Sequence, residues 1–288
     1  MVPSLGLIDT PSLPRRAAGS LILTLRYWMQ TEVHVYAFSV AANVLLSFFP
    51  FLIVSVSVAQ IFFDRQTTVA AIDFALRDYF PDALGQFLHN NLPARRPAEW
   101  LSLVLLLFTA NGIFEPLEVA LNRIWGISKN RSFLRNQLVS LLLIFACGAL
   151  ALFSLGMTAL QHQVSQGIAG SDVLIGIFFK FAAMTLAALV LILIYRYLPN
   201  CRPPMERVVP AAIGVGLLLE ALKWINTLVW PWVDARLSRE YGVFRYSVTI
   251  VFLGFLSTML VLAGAEWAAR GHRLDRTSQE PGVRNQNA

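Results

Sequence analysis

Charge is scarce in this chain. Charged residues make up 14% of its 288 positions and hydrophobic residues 56%, whereas soluble domains carry about 25% charged residues. That imbalance excludes an ordinary water-soluble domain. Cysteine is scarcer still. Cys147 and Cys201 lie far apart, neither in a Cys-x-x-Cys nor in a Cys/His cluster, which leaves no disulfide framework and no zinc site. His34, His89, His162 and His272 are dispersed without metal-ligand spacing. His-Glu-x-x-His, Gly-x-Ser-x-Gly and Walker loops are missing. The reading is therefore of a non-enzyme, with no catalytic residues, no bound metal and no cofactor. The N-terminus lacks a long apolar run, since Leu5–Ile8 is ended by Asp9, and no cleaved signal peptide is expected.

What the chain has instead is apolar blocks. A bilayer core about 30 Å thick takes roughly 20 helical residues to cross. Blocks of that length run over 35–63, 100–124, 138–160, 173–198, 208–233 and 246–269. The predicted fold is all-α and multi-pass, with six transmembrane helices. Residues 1–34 read as a proline-bearing tail followed by an amphipathic helix, in which Leu21, Leu25 and Trp28 recur at helical spacing. The six-helix domain covers 35–270, and 271–288 reads as a disordered tail. The first external loop, 64–99, is predicted to hold two short amphipathic helices, one around Ile72, Leu76 and Tyr79 and one around Leu84 and Leu88. Pro50 predicts a kink in the first span. No internal repeat supports an inverted-repeat transporter.

Net charge is +6. The arginines lie between the apolar blocks, so they read as orientation signals and contacts to anionic lipid rather than as a nucleic-acid surface. One side of a six-span topology collects Arg15, Arg16, Arg26, Arg123, Lys129, Arg131, Arg135, Arg196, Arg202, Arg207, Arg270, Arg273, Arg276 and Arg284. The other collects Arg65, Arg77, Arg95, Arg96, Arg236, Arg239 and Arg245. The richer side is expected to be cytoplasmic, with both termini on it.

Polar residues inside spans are costly and informative. In the second span Asn111, Glu115, Glu118 and Asn122 fall on one helical face around Pro116. They read either as a cavity lining or, for the last two, as a wetted helix end. In the fifth span Gly216, Glu220, Lys223 and Thr227 repeat the spacing, and Glu220 with Lys223 reads as a substrate contact or as a structural ion pair. Ser39, Asn43 and Ser47 line one face of the first span, as lining or as interhelical hydrogen bonds. The candidate path joins Asn43, Asn111, Glu115, Glu118, Asn122, Glu220 and Lys223 across one internal cavity. Lys180 reads as a side chain snorkelling outward, Glu266 as a solvated helix end, and Gly254, Ser257 and Gly264 as a face for close helix packing.

Four stretches carry a family resemblance. They are AFSVAANVLLSFFP at Ala37–Pro50, EVALNRIWG at Glu118–Gly126, YRYLPN at Tyr195–Asn200, and Tyr241–Gly242 followed by the last span with its LAGAEW. In order and spacing they resemble the YihY/BrkB family of bacterial inner-membrane proteins over roughly residues 20–270. Phe244–Arg245 departs from the small residues more usual there. The resemblance implies six helices in the inner membrane. Members have been labelled ribonuclease BN and virulence factor BrkB, and a related member is linked to lipid export, which implies translocation of a lipid or other amphiphile. It supplies no catalytic residues. The expected function is passage of a lipid-like or small polar substrate, with membrane lipids as partners and no nucleic acid. The alternative is a non-catalytic envelope scaffold. A ribonuclease is disfavoured, because no acid/base or metal constellation accompanies the basic residues. Oligomeric state is not encoded legibly.

Overall fold

The computed structural model describes residues 22–24, 26–61, 65–77, 97–127, 133–167 and 172–279. All regular structure among them is helical. Residues 22–24 and 26–28 are helical and end in a turn before Gln30. Then follow α1 (Thr31–Ala59), α2 (Arg65–Arg77), α3 (Pro97–Ile124), α4 (Phe133–Gly167), α5 (Asp172–Tyr197), α6 (Met205–Tyr241) and α7 (Arg245–Gln279). A 3-10 turn, Gly242–Phe244, joins α6 to α7. Gly242 sits at φ 54°, a conformation cheap only for glycine. Helices α1, α5, α6 and α7 are long and apolar enough to cross a membrane, and α4 holds a shorter apolar stretch, Leu138–Ser154.

Every apolar block of the sequence became one long helix. Hydrocarbon-facing backbone must satisfy its own hydrogen bonds, and helices do so within the segment. Proline does not end them: α1 runs through Pro50, α3 through Pro116 and α6 through Pro210 and Pro231. The helix around Ile72 and Leu76 is present as α2, whereas Tyr79, Leu84 and Leu88 lie outside the described residues. Residues 271–279 continue α7 where a disordered tail was expected. A helix already nucleated in the bundle extends cheaply past its last packed turn.

Helix α7 is the central post. It packs on α1, α6 and α3. Gly254 lets it approach α1, since a side chain there would sit 3.4 Å from Ala41. Gly264 lets it approach α5 and α6, where a side chain would meet Tyr195 and Val215. The two glycines thus serve different neighbours. The main core gathers Phe114, Leu121, Tyr195, Val208, Val215 and Leu262 from four helices. A second cluster closes the opposite end, where Ile72 of α2 meets Leu52 and Val56 of α1, Trp230 of α6 and Ile250 of α7. The end carrying Arg123, Arg202 and Arg270 is called the near end below, and the end carrying α2 and Gly242 the far end.

Candidate functional site

The candidate residues fall into three places rather than one cavity. Asn43 turns to its own helix, its Nδ2 donating to the Ser39 carbonyl at 2.9 Å, and the Ser47 hydroxyl donates to the Asn43 carbonyl at 2.7 Å. Small polar residues in helices often satisfy themselves on the turn before. The Asn43 side chain also presses on the backbone of Gly112, so closely that a Cβ at that position would collide with it. Asn111 lies on α3, but its side chain is outside the described residues. Glu115 is exposed, not part of an enclosed lining.

Glu118 and Asn122 are buried, at 4% and 5% exposure, so the wetted-end account of them is wrong. The Asn122 amide points at Glu118 Oε1 at 3.4 Å, and its Oδ1 accepts the backbone N–H of Asn200 at 2.7 Å. Pro199 and Pro203 of the same loop are fully buried. The Tyr195 hydroxyl donates to the Val261 carbonyl at 2.6 Å. The near end therefore brings together three of the four stretches singled out in the sequence: EVALNRIWG through Asn122, YRYLPN through Tyr195 and Asn200, and LAGAEW through Gly264.

Glu220 and Lys223 do pair with each other, and Glu220 also meets Lys180 of α5 at 3.3 Å. Lys180 does not simply snorkel, for its ammonium stands 4.7 Å from the Trp224 ring centroid, a cation–π distance. The Lys180 side chain is 49% exposed and that of Glu220 15%, so the group opens on the flank between α5 and α6. Glu220 and Lys223 join α5 rather than the α3 stripe because α6 packs chiefly on α5 and α7, while α3 packs chiefly on α1.

Sequence reasoning missed a cleft at the near end. Its volume is about 560 Å³, and Arg26, Arg123 and Arg270 converge on it with Glu32, Glu266 and Tyr27. The residue 22–30 segment supplies one wall, and the ends of α1, α3 and α7 the others. Arg270 donates to Glu266 Oε2 at 2.6 Å and to the Thr24 hydroxyl at 2.7 Å. Glu266 is thus a partly buried pairing residue in the cleft wall rather than a freely solvated end. Arg123 pairs with Glu32 at 2.5 Å. Trp28 clamps the segment to α7, its indole N–H donating to the Met259 carbonyl at 3.1 Å. Burial, and then the neighbouring Glu266 carboxylate, push the Tyr27 hydroxyl well above its ordinary range, so it stays a neutral hydrogen-bond donor. Among the described residues no group of three or more His, Cys, Asp or Glu side chains is placed to hold a metal.

The family model for virulence factor BrkB matches residues 24–287, which takes in α1 to α7 and all of the cleft lining but Leu23. The chain belongs to the BrkB family. Relatives of BrkB type are UPF0761 membrane proteins. One from Pseudoalteromonas translucida is 27% identical over 84% of this chain and 85% of its own length. One from Laribacter hongkongensis is 26% identical over 91% of this chain and 63% of its own length. One from Chromohalobacter salexigens is 29% identical over 65% of this chain and 46% of its own length. The chain thus spans about half the length of this last relative. These relatives are named as membrane proteins and not as enzymes, and the apolar helices agree with a membrane location. No solved structure matches the chain.

Proposed function

We propose that this BrkB-family chain is a non-catalytic protein of the bacterial inner membrane that moves a lipid or other amphiphile across the bilayer. It spans six times, with the near end and both termini in the cytoplasm. Helices α3 and α4 supply the two spans beyond the four most apolar helices; at 28 and 35 residues each exceeds the roughly 20 needed. The excess of arginine at the near end supports the orientation.

The observation that carries the function is the group formed by Lys180, Glu220 and Lys223. Each charge in hydrocarbon costs at least about 2.5–3.5 kcal/mol, so a half-exposed ammonium on a helix flank calls for a reason. A charged step between α5 and α6 gives a headgroup somewhere to dwell while its chains stay in the lipid. The group carries one net positive charge, since one carboxylate faces two ammoniums, which suits an anionic or zwitterionic phosphate headgroup.

Vesicles test this. The reconstituted protein should move fluorescent phospholipid between leaflets, read by quenching of the outer-leaflet dye with a membrane-impermeant reductant. The Lys180→Met, Lys223→Met double variant should slow transfer by about tenfold or more, the worth of one or two charge-assisted hydrogen bonds. Wild-type vesicles no faster than empty ones would sink the reading. For topology, Arg202→Cys and Arg236→Cys should label from opposite sides of intact cells, and labelling from the same side would remove the six-span arrangement.

A further inference from the structure

The near-end cleft is not used by the flank group, and its chemistry is different. It joins three guanidiniums to two carboxylates, one net positive charge in a cavity of a size typical of small-ligand sites, about 300–1,000 Å³. Its three arginines are not equivalent. Arg270 and Glu266 are 14% and 13% exposed and fixed by two short contacts, so they form a rigid wall. The Arg123–Glu32 pair is 63% and 51% exposed, and pairs so exposed are screened by solvent and contribute little. Arg123 also hydrogen-bonds the Tyr36 hydroxyl in the cleft wall, which leaves the rest of its guanidinium to be yielded by Glu32 to a better acceptor. Arg26 lines the cleft with no carboxylate partner among the described residues. Two guanidiniums are thus available beside the neutral phenol of Tyr27.

We propose that this cleft binds a phosphate group through Arg26 and Arg123, with the Arg270–Glu266 pair as its fixed back wall. Guanidinium forks match phosphate oxygens bidentately and are weakly hydrated, so phosphate fits better than a simple halide or a neutral polar group. A phospholipid headgroup is the source that the surroundings fit. Ile22, Leu23 and Met29 are exposed on the same short segment, and they give acyl chains an apolar bed next to the arginines. A free phosphate would leave those side chains without a role. The proposal rests on the translocation reading for the cleft's place at the membrane, and it names an anionic phosphate headgroup as the class of substrate. Binding is measured apart from transport, so the two stand or fall separately.

The full chain is purified in detergent and offered phosphatidylglycerol or phosphatidylcholine, and lipid retention is read by native mass spectrometry. Phosphatidylglycerol should be retained more than phosphatidylcholine. The Arg26→Gln, Arg123→Gln double variant should lose roughly tenfold or more of that retention with its thermal unfolding unchanged, because both side chains are exposed. Glu32→Gln should raise it, since it removes the competing carboxylate; a purely structural Arg123–Glu32 bridge predicts no gain. Equal retention of the two lipids, or retention unchanged in the double variant, overturns the site. A further arm adds millimolar inorganic phosphate. Phosphatidylglycerol that stays bound supports the lipid as the source, and displacement overturns the lipid assignment in favour of a soluble phosphate. Arginine-dependent retention without lipid transfer in vesicles would sink the translocation reading and leave the site. Transfer without arginine-dependent retention would do the reverse.

Discussion

Helices α5 and α7 are both apolar enough to cross a membrane, yet 39% of the α7 span is buried in the bundle and only 6% of the α5 span. Hydropathy does not separate a central helix from an edge helix, because lipid and protein interior are equally apolar. Alanine does not separate them either. Ala265, Ala268 and Ala269 of α7 are buried, but Ala183 and Ala187 of α5 are exposed. The difference lies in where a missing side chain meets a neighbour. Gly264 and Gly254 each receive another helix, whereas Phe178 and Phe181 of α5 point outward.

Substitutions sharpen that contrast. Gly264→Val should be the most damaging, since it forces a side chain into Tyr195 and Val215; overpacking of this kind costs about 1–3 kcal/mol, read as a lower denaturation midpoint of the purified protein. Gly112→Ala should follow at about 1 kcal/mol, the low end of that range, because Asn43 must give way. Gly148 of α4, whose added Cβ would meet nothing within 4 Å, is the control, and Gly148→Ala should be neutral or stabilising by about 0.5–1 kcal/mol. Tyr195→Phe removes the hydroxyl bond to Val261, worth about 0.6 kcal/mol on the average found within membranes. Phe181→Leu on the outer face of α5 should change stability by less than about 0.5 kcal/mol. If it costs as much as Gly264→Val, α5 is covered by something other than lipid and the contrast between the two helices fails.

Much of the fold was legible in the sequence, and much less of the site. The apolar blocks predicted α1, α3, α4, α5, α6 and α7 with starts within five residues, since hydrophobic length is set by the bilayer, while α4, α6 and α7 run seven to ten residues past the predicted ends. The fine structure of the polar stripes was not legible. Spacing fixes the angle of a side chain about its helix axis, but not which neighbour stands opposite. Glu118 and Glu115 share a face by count, and only Glu118 is buried. The arginine cleft was hidden for another reason. Arg26, Arg123 and Arg270 were each explained by membrane orientation, and that explanation gave no cause to ask whether they meet. Their convergence depends on α1, α3 and α7 packing together, a long-range fact that local pattern does not carry.

The contacts that close the near end also set an order of assembly. Trp28 bonds a residue 231 positions away, and Thr24 one 246 positions away. The segment before α1 thus waits for α7, and contacts so distant in sequence form late. Until α7 is inserted, Ala41 and Val44 of α1 lack part of their cover and the cleft lacks its back wall. A chain cut short before α7 would therefore leave Tyr195 and Val215 without the helix that covers them, an apolar seam open to water or to other chains.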